Sequence, residues 1–204
     1  VMYGVIDFYR AARAVGIKPI IGCEVYVAPG SRFDKEAGNN EDRYYHLVLL
    51  AENNEGYQNL MKIVSKGFVD GFYYKPRVDL EILRQYHEGI IALSACLAGE
   101  VQRYLERGLY QQGKEAALRY EEIFGKNHFF LELQDHGIPQ QTTVNRGLLR
   151  LHQETGIPLV CTNDAHYLRK EDAESHDVLL CIQTGKTVVP DRTVSFFPEC
   201  SCSY

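Results

Sequence analysis

Apolar positions along the chain alternate between two spacings. Val5, Phe8, Ala12 and Val15 recur at helical spacing, and Gly16 with Pro19 stops that helix. Ile20-Ile21-Gly22-Cys23-Glu24-Val25-Tyr26-Val27 then reads as a strand, followed over 28–42 by a glycine-, asparagine- and charge-rich loop expected to be mobile. A second apolar run covers 44–50, with His46 near its start. Asn53 or Asn54 caps a helix through Tyr57, Leu60, Met61 and Val64. Residues 67–76 are aromatic and read as irregular, and Val78-Asp79 opens a short helix. The run 89–96 is a strand ending in small and polar residues, and helices follow over 99–107 and 109–124. His128-Phe129-Phe130-Leu131-Glu132-Leu133 is the next strand. Val144, Leu148 and Leu151 mark a helix stopped by Gly156. The run Ile157-Pro158-Leu159-Val160-Cys161 reads as a buried strand leading to Thr162-Asn163-Asp164-Ala165-His166. A helix over 170–181 and a weakly structured tail over 185–204 complete the chain.

Helix, Gly, Ile, then strand recurs at Gly16-Ile17, Gly89-Ile90 and Gly156-Ile157. Helices alternating with near-continuous apolar strands predict an α/β fold with a parallel sheet covered by helices. Each strand carries polar residues at or near its C-terminal end: Glu24, Ser94 with Cys96, Glu132 with Asp135 and His136, and Asp164 with His166. That placement predicts the active rim of a barrel, with an open doubly wound sheet as the alternative. His46 breaks the pattern, because it begins its strand. An antiparallel pairing of its strand with that of Glu24 brings both to one rim, and opposite rims would refute the idea.

Composition narrows the class. A chain of 204 residues with 45% hydrophobic and 24% charged residues suits one globular domain over 1–204. No apolar span is long enough for a membrane helix, and no secretory signal opens the sequence. The formal charge of −5 disfavours a general electrostatic hold on nucleic acid, with Lys75-Pro76-Arg77 as the one compact basic patch singled out. Apart from Cys200 and Cys202 the cysteines lack paired spacings, so free thiols in a reducing cytoplasm are expected.

The candidate metal ligands are Glu24, His46, Cys96, Asp164 and His166. Asp164 and His166, two apart, share a side if their backbone is extended. A mixed carboxylate, imidazole and thiol set suits Zn, Mn or Fe better than Ca. Ions held together in this way grip a phosphate and lower the pKa of water, which points to phosphoester hydrolysis. Taken singly, each residue has a bland alternative: Asp164 as a turn residue, Cys96 as a small core residue, His46 as a core histidine, Glu24 as a solvated strand residue. Convergence from separate strands favours the functional reading. Asp135-His136-Gly137 ranks second, because Asp135 fits a turn before Pro139. Arg77 and Lys75, beside Tyr73 and Tyr74, suit a nucleotide path, against a solvated loop.

Met2-Tyr3-Gly4, Gly22-Cys23-Glu24, Tyr45-His46-Leu47, Tyr74-Lys75-Pro76-Arg77, Ser94-Ala95-Cys96-Leu97 and Thr162-Asn163-Asp164-Ala165-His166-Tyr167 together resemble the PHP (polymerase and histidinol phosphatase) domain of the bacterial replicative DNA polymerase III alpha subunits. The resemblance implies a distorted seven-stranded β/α barrel of TIM-like kind, with up to three divalent metal ions at one rim. It places Glu24, His46, Cys96, Asp164 and His166 at ligand positions and Arg77 at a basic position near the site. It implies DNA, polymerase III holoenzyme subunits and a docked proofreading exonuclease as partners, in a bacterial cytoplasm. The family's His-x-His and Thr-Asp-His-Gly motifs precede the equivalent of Met2. The chain opening at Val1 is therefore expected to be a fragment without the first strand, most or all of the second, and four ligands. Metal binding is expected to be incomplete and nuclease activity weak or absent. The implied chemistry is metal-dependent 3′–5′ exonuclease or phosphoesterase action. The alternatives are a non-catalytic docking module and a free-standing phosphoesterase.

Overall fold

The computed structural model describes residues 2–35 and 43–187. Helix α1 (Val5–Ala14) precedes β1 (Gly22–Val27), and β2 (Tyr45–Ala51) leads into α2 (Asn54–Val69). Asn53 caps α2, its side chain accepting from Gly56 N at 2.9 Å. The stretch expected to be irregular instead extends α2 and then forms a hairpin, β3 (Phe72–Tyr73) with β4 (Lys75–Val78). Tyr74 turns that hairpin at φ +60°. Next come α3 (Leu80–Gln85), capped by Asp79, then β5 (Ile90–Leu93), α4 (Glu100–Glu106) and α5 (Tyr110–Phe124). Strand β6 (Phe129–Leu133), helix α6 (Pro139–Thr155) and strand β7 (Leu159–Cys161) follow. A 3-10 turn, Lys170–Asp172, runs into α7 (Ala173–Thr184). The expected tail lies outside the described residues beyond 187.

The strands form one mixed sheet in the order β3-β4-β1-β2-β5-β6-β7. Pairing is parallel for β1 with β4, β5 with β6, and β6 with β7. The expectation of a parallel sheet fails at β2, which runs antiparallel to both β1 and β5. Antiparallel neighbours need no crossover helix, and the polar segment after Val27 has no helical pattern. Among the described residues the pairing is an open arc ending at β3 and β7. Strand β7 is an edge strand and only partly buried, contrary to expectation; within its run Ile157 alone is fully buried.

The core is aliphatic with aromatic inserts. Leu47, Leu49, Leu60, Ile63, Leu83, Ile90, Phe129, Leu131, Leu148 and Leu151 are at most 1% exposed. Each such side chain stabilises the fold by roughly 1.5–3 kcal/mol relative to exposure. Helix α1 forms as its spacing predicts, yet none of its residues is buried among the described ones. After β1, Arg32 pins the chain to the start of α3. Its backbone N and guanidinium both donate to Asp79, at 2.9 and 3.0 Å, and the guanidinium also reaches Glu81 at 2.8 Å. No helix among the described residues is long and apolar enough to cross a membrane.

Candidate metal centre

Three donor side chains converge from β1, β2 and the turn after β5. In the β1–β2 ladder Tyr26 stands opposite His46 and Glu24 opposite Val48. Glu24 and His46 are therefore diagonal neighbours on one face of the sheet, within reach for long side chains. Glu24 Oε1 lies 3.3 Å from His46 Nδ1. Cys96, just beyond β5, places its Sγ 3.5 Å from the same nitrogen. One donor atom from each of Glu24, His46 and Cys96 lies within 4.8 Å of the others. The antiparallel arrangement expected to rescue His46 is thus the one found.

Backbone contacts lock the triad. His46 N donates to Ala98 O at 3.0 Å, which ties the turn after β5 to β2. Gly99 closes that turn, and there a Cβ would sit 2.1 Å from Ser94 O, so the close approach requires glycine. Cys96 is buried, His46 is largely buried, and the Glu24 carboxylate remains accessible. Burial works against a charged His46, but the hydrogen bonds to Cys96 and Glu24 outweigh it and lift its pKa to about 10.

Two separations within the triad have the dimensions of a metal site. Tetrahedral bonds of about 2.0 Å from N and O and about 2.3 Å from S place neighbouring donors roughly 3.3–3.5 Å apart. The 3.3 and 3.5 Å separations at His46 Nδ1 match that spacing. Three protein donors also leave a coordination position open for water or substrate. The donor set combines hard and soft atoms, in keeping with Zn, Mn or Fe.

Asp164 and His166 do not join this group of donors. The extended backbone that would align them is absent: β7 ends at Cys161 and Asp164 takes φ +44°. His166 Nδ1 instead meets Asp164 O at 2.8 Å, and its ring packs edge-on to His176, with centroids 5.9 Å apart. Arg77 is buried, and its guanidinium donates to backbone carbonyls: Asp34 O at 2.6 Å, and Gly71 O and Arg32 O at 3.4 Å. Burial lowers its pKa from the usual arginine value. Arg77 also lies over the Tyr73 ring at 5.1 Å, and Lys75 over Tyr26 at 5.8 Å. Tyr26 and Tyr44 flank His46, with ring centroids 5.2 and 6.0 Å from it.

Polar side chains ranked low or passed over in the sequence form the floor beside Cys96. Glu132 on β6 is buried, and its pKa is raised by burial. Asp164 and Cys96 push it the same way, against the hydrogen bonds from Thr162 and Gln134. A lone carboxylate in an apolar strand was its sequence signal. Gln102, also buried, had no such signal. His136 is structural: its Nε2 donates to Asn163 O, and its Nδ1 accepts from the Gln141 amide, both at 2.8 Å. Asp135 accepts from Gly137 N at 3.1 Å, as a turn residue does.

The sequence model of the PHP domain matches residues 1–136, a span that contains all three converging donors. The chain is 49% identical over 185 residues to DNA polymerase III subunit alpha of Treponema pallidum, covering 91% of this chain and 16% of that protein. It is 46% identical to the Deinococcus radiodurans subunit over 198 residues, covering 96% of the chain and 15% of the relative. For the Thermus aquaticus subunit the identity is 45%, covering 97% and 16%. The chain thus spans 15–16% of the length of these curated relatives. With matched residues running across two thirds of its length and through the donor triad, the chain belongs to the PHP domain family.

Proposed function

We propose that this chain is the PHP region of a bacterial replicative DNA polymerase III alpha subunit, and that in the parent protein this region carries out metal-dependent phosphoester hydrolysis of the 3′–5′ exonuclease kind. The observation that carries the reading is the convergence of Glu24, His46 and Cys96 donors on one point. These three residues would hold a divalent ion of Zn, Mn or Fe type. Bound there, the ion supplies Lewis acidity to a phosphoryl oxygen and to water. Asp164 and His166 would extend the ligand set, in a complete domain that takes up to three ions. His46 must release its proton for Nδ1 to act as a ligand. Tyr26 and Tyr44 beside it offer faces for nucleotide bases, and Lys75 a charge for phosphate. Arg77 shapes the rim through its carbonyl contacts.

The sheet would belong to a distorted β/α barrel whose rim holds the site. DNA and the other holoenzyme subunits would be its partners, in the bacterial cytoplasm. A second reading makes the region a non-catalytic module that docks a proofreading exonuclease. It draws support from the 4.8 Å donor group holding Glu24, His46 and Cys96 without Asp164 or His166.

Elemental analysis of the intact protein, paired with digestion of 3′-labelled DNA, separates the two. Metal content and cleavage that both fall in Cys96→Ser support hydrolysis. Full metal content with no cleavage supports the docking module.

A further inference from the structure

The backbone before Cys96 is held in an unfavourable shape. Ala95 has φ +67°, the left-handed region that L-residues avoid. Both polar groups of Ala95 are clamped by buried side chains from two other elements. Ala95 N donates to Glu132 Oε2 at 3.0 Å, and Gln102 Nε2 donates to Ala95 O at 2.9 Å. Ser94 joins the same network, its Oγ accepting from Gln102 Nε2 at 2.6 Å and from Glu132 N at 2.8 Å. The other oxygen of Glu132 accepts from Gln134 Nε2 at 3.1 Å and from Thr162 Oγ1. Ser94, Gln102, Glu132 and Gln134 are each at most 6% exposed.

We propose that Glu132 is a positioning residue of the metal centre, whose carboxylate holds Ala95 left-handed so that Cys96 Sγ faces His46 Nδ1, while its second oxygen ties the 162–164 loop to the same point. The proposal rests on reading Glu24, His46 and Cys96 as a metal centre. A carboxylate suits the task because three donors meet it and it has only acceptors to offer. Loss of one arm frees Ala95 to relax toward ordinary backbone, and Cys96 turns with it.

Peptide-resolved alkylation of the metal-free intact protein tests this. Buried Cys23 and Cys181 serve as internal references. In Glu132→Ala the Cys96 rate, relative to Cys23, should rise roughly tenfold or more as local opening becomes easier. Glu132→Gln keeps an acceptor for Ala95 N and should restore most of the protection. If Glu132→Ala unfolds, Glu132→Asp keeps the charge but draws it away from Ala95, and should expose Cys96 selectively. An unchanged Cys96 ratio in a folded variant overturns the proposal. So does a parallel rise at Cys23, Cys181 and Cys96, which would make Glu132 a residue of the general fold. A cobalt titration then separates this proposal from the metal reading. Wild type should show a thiolate-to-cobalt charge-transfer band, and Glu132→Asp should keep cobalt yet lose the band. Wild type that takes up no cobalt defeats the metal reading, while the alkylation result still decides the role of Glu132 at Cys96.

Discussion

Glu24 Oε1 and His46 Nδ1 face each other at 3.3 Å across the β1–β2 ladder, two register steps apart. Strand direction matters at Cys96: β2 runs antiparallel to β5, so its start, with His46, lies at the end of β5 beyond which Cys96 sits. Cys96 Sγ meets the same nitrogen at 3.5 Å, so removing one donor should leave a weak two-donor site. Cys96→Ser should lower zinc affinity by roughly 10–100-fold or more, the range found even for partners outside the coordination sphere. Isothermal titration with zinc measures it. An unchanged affinity would place the metal elsewhere.

His46 carries the pH dependence. Its pKa is raised from 6.5 to about 10, so the metal-free chain holds it protonated at neutral pH. A raised pKa in the folded state means stability fully present below about 6.5 and lost as pH rises through about 10. The metal-free protein should therefore lose stability across that window, and His46→Gln should flatten the loss. Metal addition near pH 7 should release a proton, with affinity rising toward alkaline pH. Urea midpoints against pH, and proton release in weakly buffered titrations, check both signs.

Arg77 should matter first for stability. Its guanidinium serves three backbone carbonyls in a buried setting. Arg77→Ala leaves those acceptors without their charged donor and should cost about 2–3 kcal/mol. Arg77→Lys, with no planar fork, should recover only part of it. Denaturation of both variants measures the effect. A stable Arg77→Ala that loses only phosphate affinity would return Arg77 to a direct role at the site.

Core packing gives a contrast within the helices. Leu148 on α6 is 0% exposed, and Leu118 on α5 is 41% exposed. Leu148→Ala should destabilise by about 2–5 kcal/mol, the cost of transfer plus a cavity. Leu118→Ala should stay within about 0.5 kcal/mol. Thermal unfolding of the pair tests whether α6 is part of the cooperative core.

Local chemistry is enough to read most of the helices and strands from the sequence. Asn53 and Asp79 mark helix starts because their side chains accept from free N–H groups, and Gly156 marks a stop because glycine takes the left-handed turn without steric cost. Apolar runs and polar strand ends pick out Glu24, Cys96, Asp164 and His166, while His46, at the start of its strand, needs the antiparallel pairing to join them. What the tertiary structure decided was non-local. Strand direction at β2 brings His46 to the end of β5 and so to Cys96, and no spacing within either strand encodes it. The β3–β4 hairpin turns on Tyr74, a residue with no turn propensity. The 162–166 loop takes its shape from Glu132 and His136, so the expected alignment of Asp164 with His166 gives way to a left-handed bend. Arg77 reads as a solvent-facing base, yet distant carbonyls bury and occupy it. Sequence names the groups able to bind a metal; long-range hydrogen bonds determine which of them meet, since those bonds join residues that are far apart in the chain.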